Sequence, residues 1–315
     1  MRGVRTIDWV DGAIELIDQT LLPDELVMLR ITTVDALIEA IQRLAVRGAP
    51  ALGVAGAFGV ALADGDRKAI ARLREARPTA VNLAWGVDQA AAHLEEGRQA
   101  VLARAERLRD EDIAACVAMG GRGADLIEGD SLRVMTICNT GALAAVERGT
   151  ALGVIQTLHE RGRLAEVLAL ETRPLLQGAR LTAWELDRMG APYRLIADSA
   201  GPSLLARGGI DAVLIGADRI AANGDTANKV GSYSLALGAE RAGVPFFVVA
   251  PETTIDLSTP SGEHIEIEDR AEEEIVSVRG VRLAPAGTRA LNPAFDVTPH
   301  DLITAIITDR RVFRP

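Results

Sequence analysis

Leu132-Arg133-Val134-Met135-Thr136-Ile137-Cys138-Asn139-Thr140-Gly141 reads as an apolar strand that runs into a cysteine, and Val213-Leu214-Ile215-Gly216-Ala217-Asp218 as a second that runs into an aspartate. Short, near-continuous apolar runs mark strands buried on both faces of a parallel sheet. Val167 to Leu170, Tyr193 to Ala197 and Phe246 to Val249 have the same character, and helical stretches separate them. The alternation predicts βα repeats, hence an α/β protein with a helix-covered parallel sheet. In such a sheet the residues just beyond the carboxyl ends of the strands line the ligand crevice. The runs end on Cys138, Glu171, Asp198, Asp218 and Glu252, which predicts a polar rim with a thiol and a carboxylic acid at one small volume.

Upstream the pattern is different. Ile7 to Val10 and Ala13 to Asp18 flank Asp11-Gly12, a strong hairpin signal. Val34, Leu37, Ile38, Ile41 and Leu44 recur at helical spacing, so Thr33 to Leu44 is predicted helical. Further helices are predicted over Asp88 to Leu108 and over Asp110 to Leu126, the latter carrying Cys116 at a core position. Glu128-Gly129-Asp130-Ser131 is a polar break. It places the expected boundary between a mainly helical N-terminal domain with short strands (1–128) and a sheet domain (129–315).

Of the 315 residues, 48% are hydrophobic and 25% charged, the balance of a globular chain rather than a disordered one. A formal charge of −10 argues against a nucleic-acid binder, which needs a basic face. It does not exclude an anionic substrate, because a pocket needs only a few local cations. Two cysteines are too few for a disulfide framework. The start, Met1 to Trp9, lacks the apolar core of a signal peptide. No apolar run approaches the about 20 residues of a spanning helix, so a soluble cytoplasmic protein without membrane contact is expected.

Arg47-Gly48-Ala49-Pro50 precedes a helix beginning Ala51-Leu52-Gly53. Proline suits a first helical turn, and the free N–H groups there, with the arginine fork, make an anion site. Gly53, Gly56 and Gly59 serve tight helix packing in either case. Arg77 precedes a proline-fixed loop and is a weaker candidate of the same kind. Lys229 is expected near the start of a helix after the turn Ala222-Asn223-Gly224-Asp225. A lysine there opposes the helix dipole, which a bound anion would explain. Cys138 is either a small apolar filler or a thiolate. The expected helix start at Asn139-Thr140-Gly141 favours the thiolate. Asp218, approached through Leu214, Ile215 and Ala217, is expected to be a desolvated acid of raised pKa, suited to proton donation.

Several chemistries lack their signature. His93, His159, His264 and His300 are scattered without zinc-ligand spacing, so no metal is expected. No dinucleotide fingerprint, phosphate-binding P-loop or serine-hydrolase elbow is present. Cofactor-free chemistry on a small phosphorylated molecule is the expectation that remains.

Taken together, Arg47 to Gly53, Arg77 to Leu83, Cys138 to Ala144, Glu171 to Pro174, Gln177 to Leu186, Ile215 to Ile220, Asn228 to Gly231 and Asn292 to Pro299 resemble the S-methyl-5-thioribose-1-phosphate isomerases of methionine salvage. These stretches run nearly the whole chain in the family's order. Ile137 departs from the histidine that many members carry there. The resemblance implies a small N-terminal domain joined to a Rossmann-like C-terminal domain, in a homodimer. It implies a cofactor-free aldose–ketose isomerase with Asp218 as acid and Cys138 as its partner. Substrate contacts would fall on Arg47, Gly48, Ala49, Arg77, Gln177, Asn228 and Lys229. Isomerases of ribose 1,5-bisphosphate and of 5-deoxyribose 1-phosphate belong to the same superfamily. So do the non-catalytic regulatory subunits of translation initiation factor 2B, for which the chain would be a binding module.

Overall fold

The computed structural model describes residues 5–78 and 80–315. The chain opens with three antiparallel strands, β1 (Ile7–Val10), β2 (Ala13–Ile17) and β3 (Met28–Ile31). The hairpin turn lies at Asp11-Gly12, both at positive φ as a tight turn of the primed type requires. Four helices follow: α1 (Val34–Gln42), α2 (Ala49–Ala63), α3 (Arg67–Arg74) and α4 (Val81–Ala91). Thr33 caps α1 by accepting the Ala36 N–H. Helix α2 is apolar all round and is buried at the centre of this unit, where Gly86 lets α4 cross it closely. A Cβ on Gly86 would lie 2.0 Å from Gly53 O.

The next helix, α5, spans Arg98–Leu126 without a break. The sequence reading divided this region at Arg109-Asp110, and that division is wrong. The helix breaks instead at Gly97, whose φ of 93° no helix continues through. Arg109 is simply a helical residue whose guanidinium pairs with both Asp8 and Asp110.

Six parallel strands then build the main sheet: β4 (Leu132–Thr136), β5 (Leu164–Leu170), β6 (Tyr193–Ile196), β7 (Ala212–Ile215), β10 (Phe246–Val249) and β15 (Ala305–Ile307). An antiparallel edge strand, β16 (Val312–Phe313), completes it. Helices α6 (Ala151–Glu160), α7 (Ala183–Met189), α8 (Gly201–Ala206) and α9 (Ser232–Ala242) connect the strands. Period-two alternation sorts the strand residues into two cores. Val134, Val167, Leu214 and Val249 pack with α6 and the second half of α5, while Met135, Leu168, Val213 and Val248 pack with α8 and α9. Both faces are thus dry, which is why the strands read as unbroken apolar runs.

A smaller sheet, in the order β11 (Ile255–Asp256), β8 (Arg219–Ala221), β9 (Thr226–Lys229), β14 (Phe295–Thr298), stands over the carboxyl end of the main one. A short helix, α10 (Glu273–Val276), leads into the hairpin β12 (Ser277–Val278) and β13 (Val281–Arg282). Among the described residues no helix is long and apolar enough to cross a membrane, and no acidic, histidine or cysteine cluster could hold a metal ion.

Candidate active site

The main sheet runs β16-β15-β10-β7-β4-β5-β6. From β4 the chain winds outward through β5 and β6, then returns to the other side of β4 for β7, β10 and β15. The order therefore reverses between β4 and β7, where neighbouring connections leave in opposite directions and open a crevice. Cys138 follows β4 and Asp218 follows β7, so the two residues flank this switch point.

The pocket there has about 790 Å³ of empty space including the open solvent at its mouth, and all nine residues singled out in the sequence line it: Arg47, Gly48, Ala49, Arg77, Cys138, Gln177, Asp218, Asn228 and Lys229. They come from the α2 start, the loop after α3, the ends of β4 and β7, the turn before α7, and β9. Of the five rim residues expected from strand ends, Glu171, Asp198 and Glu252 are not part of it. Asp198 instead accepts the backbone N–H groups of Thr172 and Arg173 (2.7 and 2.6 Å), and Glu252 pairs with Arg311.

Cys138 is held in a left-handed conformation, φ +66°, rare for a residue with a Cβ. Two threonines fix it. Its N–H donates to Thr172 Oγ1 (2.9 Å), and its carbonyl accepts from Thr182 Oγ1 (2.6 Å). The helix expected to begin at Asn139-Thr140-Gly141 is absent. Only a single 3-10 turn forms at Ala142–Ala144, and α6 begins at Ala151. The N–H groups of Ala142 and Leu143 are taken by the Glu185 carboxylate, so no helix dipole is aimed at the thiol. Lys229 lies within electrostatic reach of Cys138.

Asp218 has its backbone anchored to Ala227 O (2.9 Å), while its carboxyl, among the described residues, has no hydrogen-bonding partner. Desolvation raises its pKa, against the opposing pull of Lys229, Arg47 and Arg77. Glu268, which sits between Arg77 (3.3 Å) and Arg270 (3.0 Å), pushes in the same direction as burial. The acid expected from the apolar approach to Asp218 thus keeps its proton more readily than an ordinary carboxyl.

Arg47 and Lys229 reach the pocket without an ion-pair partner within 4 Å among the described residues. Arg47 is buried, and its Nη2 donates to Asn139 O (2.7 Å) and Asn139 Oδ1 (3.2 Å), while Nη1 has no partner. Lys229 was expected near the start of a helix; it ends strand β9, three residues ahead of Ser232, where α9 begins. It is buried, donates to Ala294 O (2.7 Å) and lies over the Phe295 ring at 4.7 Å. Desolvation lowers its pKa, and Cys138 and Asp218 counter that. Gln177 Oε1 is buried without a partner. Asn228 donates from Nδ2 to Ser232 Oγ (2.8 Å). An unpaired guanidinium nitrogen and an ammonium held only by a carbonyl and a ring are costly to bury, and an anion would satisfy both.

Gly48 brings the backbone into this site. Its φ is +94°, and a Cβ would stand 2.4 Å from Ala144 O. The α2 start has no side-chain cap, which leaves its first N–H groups at the pocket wall.

Sequence reasoning missed Arg270, Asn139, Leu175 and Phe295, all at the pocket. Arg270 lies in a run of charges (263–274) that reads as solvated surface; the signals present were the matching stretches Cys138 to Ala144, which contains Asn139, and Asn292 to Pro299, which contains Phe295. Ile137 is fully buried and belongs to the α8–α9 core, one residue out of phase with the pocket. Thr79, in the second matching stretch, and Met1 to Val4 lie outside the described residues.

A family model described as the initiation factor 2 subunit family matches residues 29–315. The chain is 51% identical over 308 residues to a methylthioribose-1-phosphate isomerase of Anaeromyxobacter sp. (strain Fw109-5), covering 96% of this chain and 91% of that one. It is 49% identical to a 5-deoxyribose 1-phosphate isomerase of Moorella thermoacetica, covering 99% and 95%. It is also 50% identical to a probable bifunctional methylthioribose-1-phosphate isomerase/methylthioribulose-1-phosphate dehydratase of Nocardia farcinica, of which it spans 58%. Among solved structures, 5-methylthioribose 1-phosphate isomerase from Pyrococcus horikoshii OT3 superposes with a TM-score of 0.94 at 41% identity, covering 100% of this chain and 94% of that one. Translation initiation factor eIF-2B, subunit delta, from A. fulgidus gives 0.89 at 41% identity, covering 99% and 96%. The chain belongs to the initiation factor 2 subunit family, among its sugar-phosphate isomerases.

Proposed function

We propose that this protein is an aldose–ketose isomerase that converts S-methyl-5-thioribose 1-phosphate to S-methyl-5-thioribulose 1-phosphate, a step of methionine salvage. One observation carries the reading: an enclosed carboxyl of raised pKa, Asp218, shares a pocket with Cys138 and with buried, unneutralised cationic groups of Arg47 and Lys229. An acid and a thiol beside an anion site fit proton chemistry on a sugar phosphate. The reaction oxidises C2 and reduces C1 of one molecule, so it balances without an external electron carrier.

A phosphate on the anomeric oxygen blocks ordinary opening to an aldehyde. In the proposed sequence neutral Asp218 gives its proton to the ring oxygen O4 as the C1–O4 bond breaks. Two routes then balance. In one, hydrogen moves with its electron pair from C2 to C1, and the C2 hydroxyl proton returns to the Asp218 carboxylate. In the other, the Cys138 thiolate removes the C2 proton to give a phosphoenol. Cys138 then returns that proton to C1 while Asp218 takes the hydroxyl proton. Substrate deuterated at C2 tests them: loss of deuterium to solvent marks the enol route, in which the Cys138 thiol can exchange before it returns the proton, whereas the hydride route allows no loss.

The test of function is turnover of methylthioribose 1-phosphate, 5-deoxyribose 1-phosphate and ribose 1,5-bisphosphate, followed by phosphorus NMR. Preferential conversion of the first supports the proposal. The relative from Moorella thermoacetica makes 5-deoxyribose 1-phosphate the second reading, and its preferential conversion would keep the chemistry and change the substrate. No conversion of any would favour the binding-module alternative. Asp218→Asn is expected to lose roughly 10²- to 10⁴-fold in kcat while still binding substrate; a near-normal rate would overturn the role given to Asp218.

The chain is further proposed to act as a cytoplasmic homodimer with domains at 1–128 and 129–315. Tyr233 and Leu237, one turn apart on α9 and both exposed, support a face for a second copy. Light scattering at twice the 33.3 kDa chain mass is the expected result.

A further inference from the structure

Glu185, on α7, is fully buried and does not itself line the pocket. All its hydrogen bonds nevertheless go to the segment that carries Cys138. Oε1 accepts from Asn139 Nδ2 (2.7 Å) and from the Leu143 N–H (3.3 Å), and Oε2 accepts from the Ala142 N–H (2.8 Å). The fit is tight, since a Cβ on Gly141 would lie 2.4 Å from Oε2. Desolvation raises the Glu185 pKa, and the Asn139 amide, the two backbone N–H groups and Arg47 all pull it back down.

The Asn139 amide is the hinge of this arrangement. Its NH2 end is fixed by Glu185, so its oxygen end must face the other way, where it accepts from Arg47 Nη2 at 3.2 Å. The Asn139 backbone carbonyl accepts from the same nitrogen at 2.7 Å. One turn before Glu185, Thr182 donates to the Cys138 carbonyl and accepts from Asn139 Nδ2 (3.3 Å). A single helical face thereby sets both the strained backbone of Cys138 and the aim of the Arg47 fork.

We infer that Glu185 is a positioning residue for the isomerisation, orienting Asn139 so that Arg47 holds the phosphate and Cys138 stays at the reacting carbons. The inference rests on the reading of the pocket as the isomerase site. Replacement by the isosteric amide forces one donor against another, because Asn139 Nδ2 and the Ala142 N–H need acceptors at opposite ends of the carboxylate. Displacing reacting groups by about an ångström costs on the order of 10²-fold in rate.

The experiment compares wild type, Glu185→Gln, Asn139→Ala and the exchange Glu185→Gln with Asn139→Asp. In the exchange the introduced amide donates from the Oε1 side to the introduced carboxylate and accepts the Ala142 N–H on the other side, giving up only the long 3.3 Å contact with the Leu143 N–H. The carboxylate, however, now pairs with Arg47 and competes with substrate phosphate. The expected kcat falls on the order of a hundredfold in Glu185→Gln and recovers to within several-fold in the exchange, while KM in the exchange stays raised. A capping role alone would leave kcat unmoved in every variant that folds. Asn139→Ala removes the relay and spares the Glu185 caps, so it decides the matter if Glu185→Gln does not fold.

The pH profile of iodoacetamide alkylation at Cys138 is read in parallel; Cys116 is fully buried and does not interfere. Profiles of Glu185→Gln and Asn139→Ala displaced from wild type support the inference. Superimposed profiles with kcat/KM within twofold of wild type overturn it. Alkylation needs no substrate, so it still judges Glu185 if wild type turns over no sugar phosphate.

Discussion

Arg47→Ala separates the two roles of the buried guanidinium, and its cost can be worked from the contacts. In the free protein the change removes an Nη1 that has no partner and leaves Asn139 O and Oδ1 without the donor they now share. Each buried unsatisfied group costs about 1–3 kcal/mol, so the gain and the loss oppose each other and the melting temperature without ligand should change little. The bound state is different. Charge-assisted hydrogen bonds are each worth about 1.5–3 kcal/mol, so two donated to a phosphate give at least about 3 kcal/mol, on the order of a hundredfold in Kd. The assay is a thermal melt with the 1-phosphate substrate at a hundred times the wild-type Kd. Wild type should gain about 2.7 kcal/mol of stability, and the variant, now near its own Kd, only about 0.4 kcal/mol. An equal ligand-induced shift in both proteins would refute the placement of the phosphate at Arg47.

Other expectations concern the acid and its surroundings. Glu268→Gln removes a charge that favours the protonated form of Asp218 and breaks the ion pair of Arg77, while Arg270 stays paired with Glu274. The high-pH limb of kcat/KM should therefore move to lower pH, and a limb that stays or moves up would contradict the assignment of Asp218 as acid. Asp218 has a raised pKa, so the native state keeps a proton that the unfolded chain releases near the ordinary carboxylate range of about 4. Stability must then fall as pH rises from there to the folded pKa. The melting temperature of Asp218→Asn relative to wild type should be level in acid and climb across that window; a constant difference would mean the carboxyl is not desolvated. Gly48→Ala meets Ala144 O at 2.4 Å and takes a φ of +94°. Strain of about 1–3 kcal/mol plus the displaced α2 start should lower both melting temperature and phosphate affinity, and unchanged affinity would remove the α2 start from the site.

The main sheet was legible because burial on both faces writes itself into Val134, Leu168, Val213 and Val248 as unbroken apolarity. The strand ends gave Cys138 and Asp218 for the same reason. The small sheet was not legible: β8 and β11 have three and two residues, too few for a period to show, and β9 ends in Asn228 and Lys229, which no strand pattern suggests. The α4–α5 break was misplaced because a charged pair, Arg109-Asp110, looks like a turn while Gly97 looks like a tolerated glycine. In both cases the backbone, not the polarity, decides. The helix wrongly expected behind Cys138 shares a cause with the overlooked Glu185. A carboxylate from α7 binds the N–H groups that would have opened that helix, and a contact between segments so far apart leaves no trace in local spacing.

Helix α5 has 29 residues, roughly 43 Å at 1.5 Å per residue. Val101, Ala105 and Leu108 belong to the core around α2, whereas Cys116, Met119 and Ala124 belong to the core beneath the main sheet. Neither half of the chain can therefore be melted, cut away or expressed alone without stripping one end of the same rod. The two lobes should denature as one cooperative event, with calorimetric and van't Hoff enthalpies that agree. Amide protons at the middle of α5 should exchange as slowly as those of the central strands.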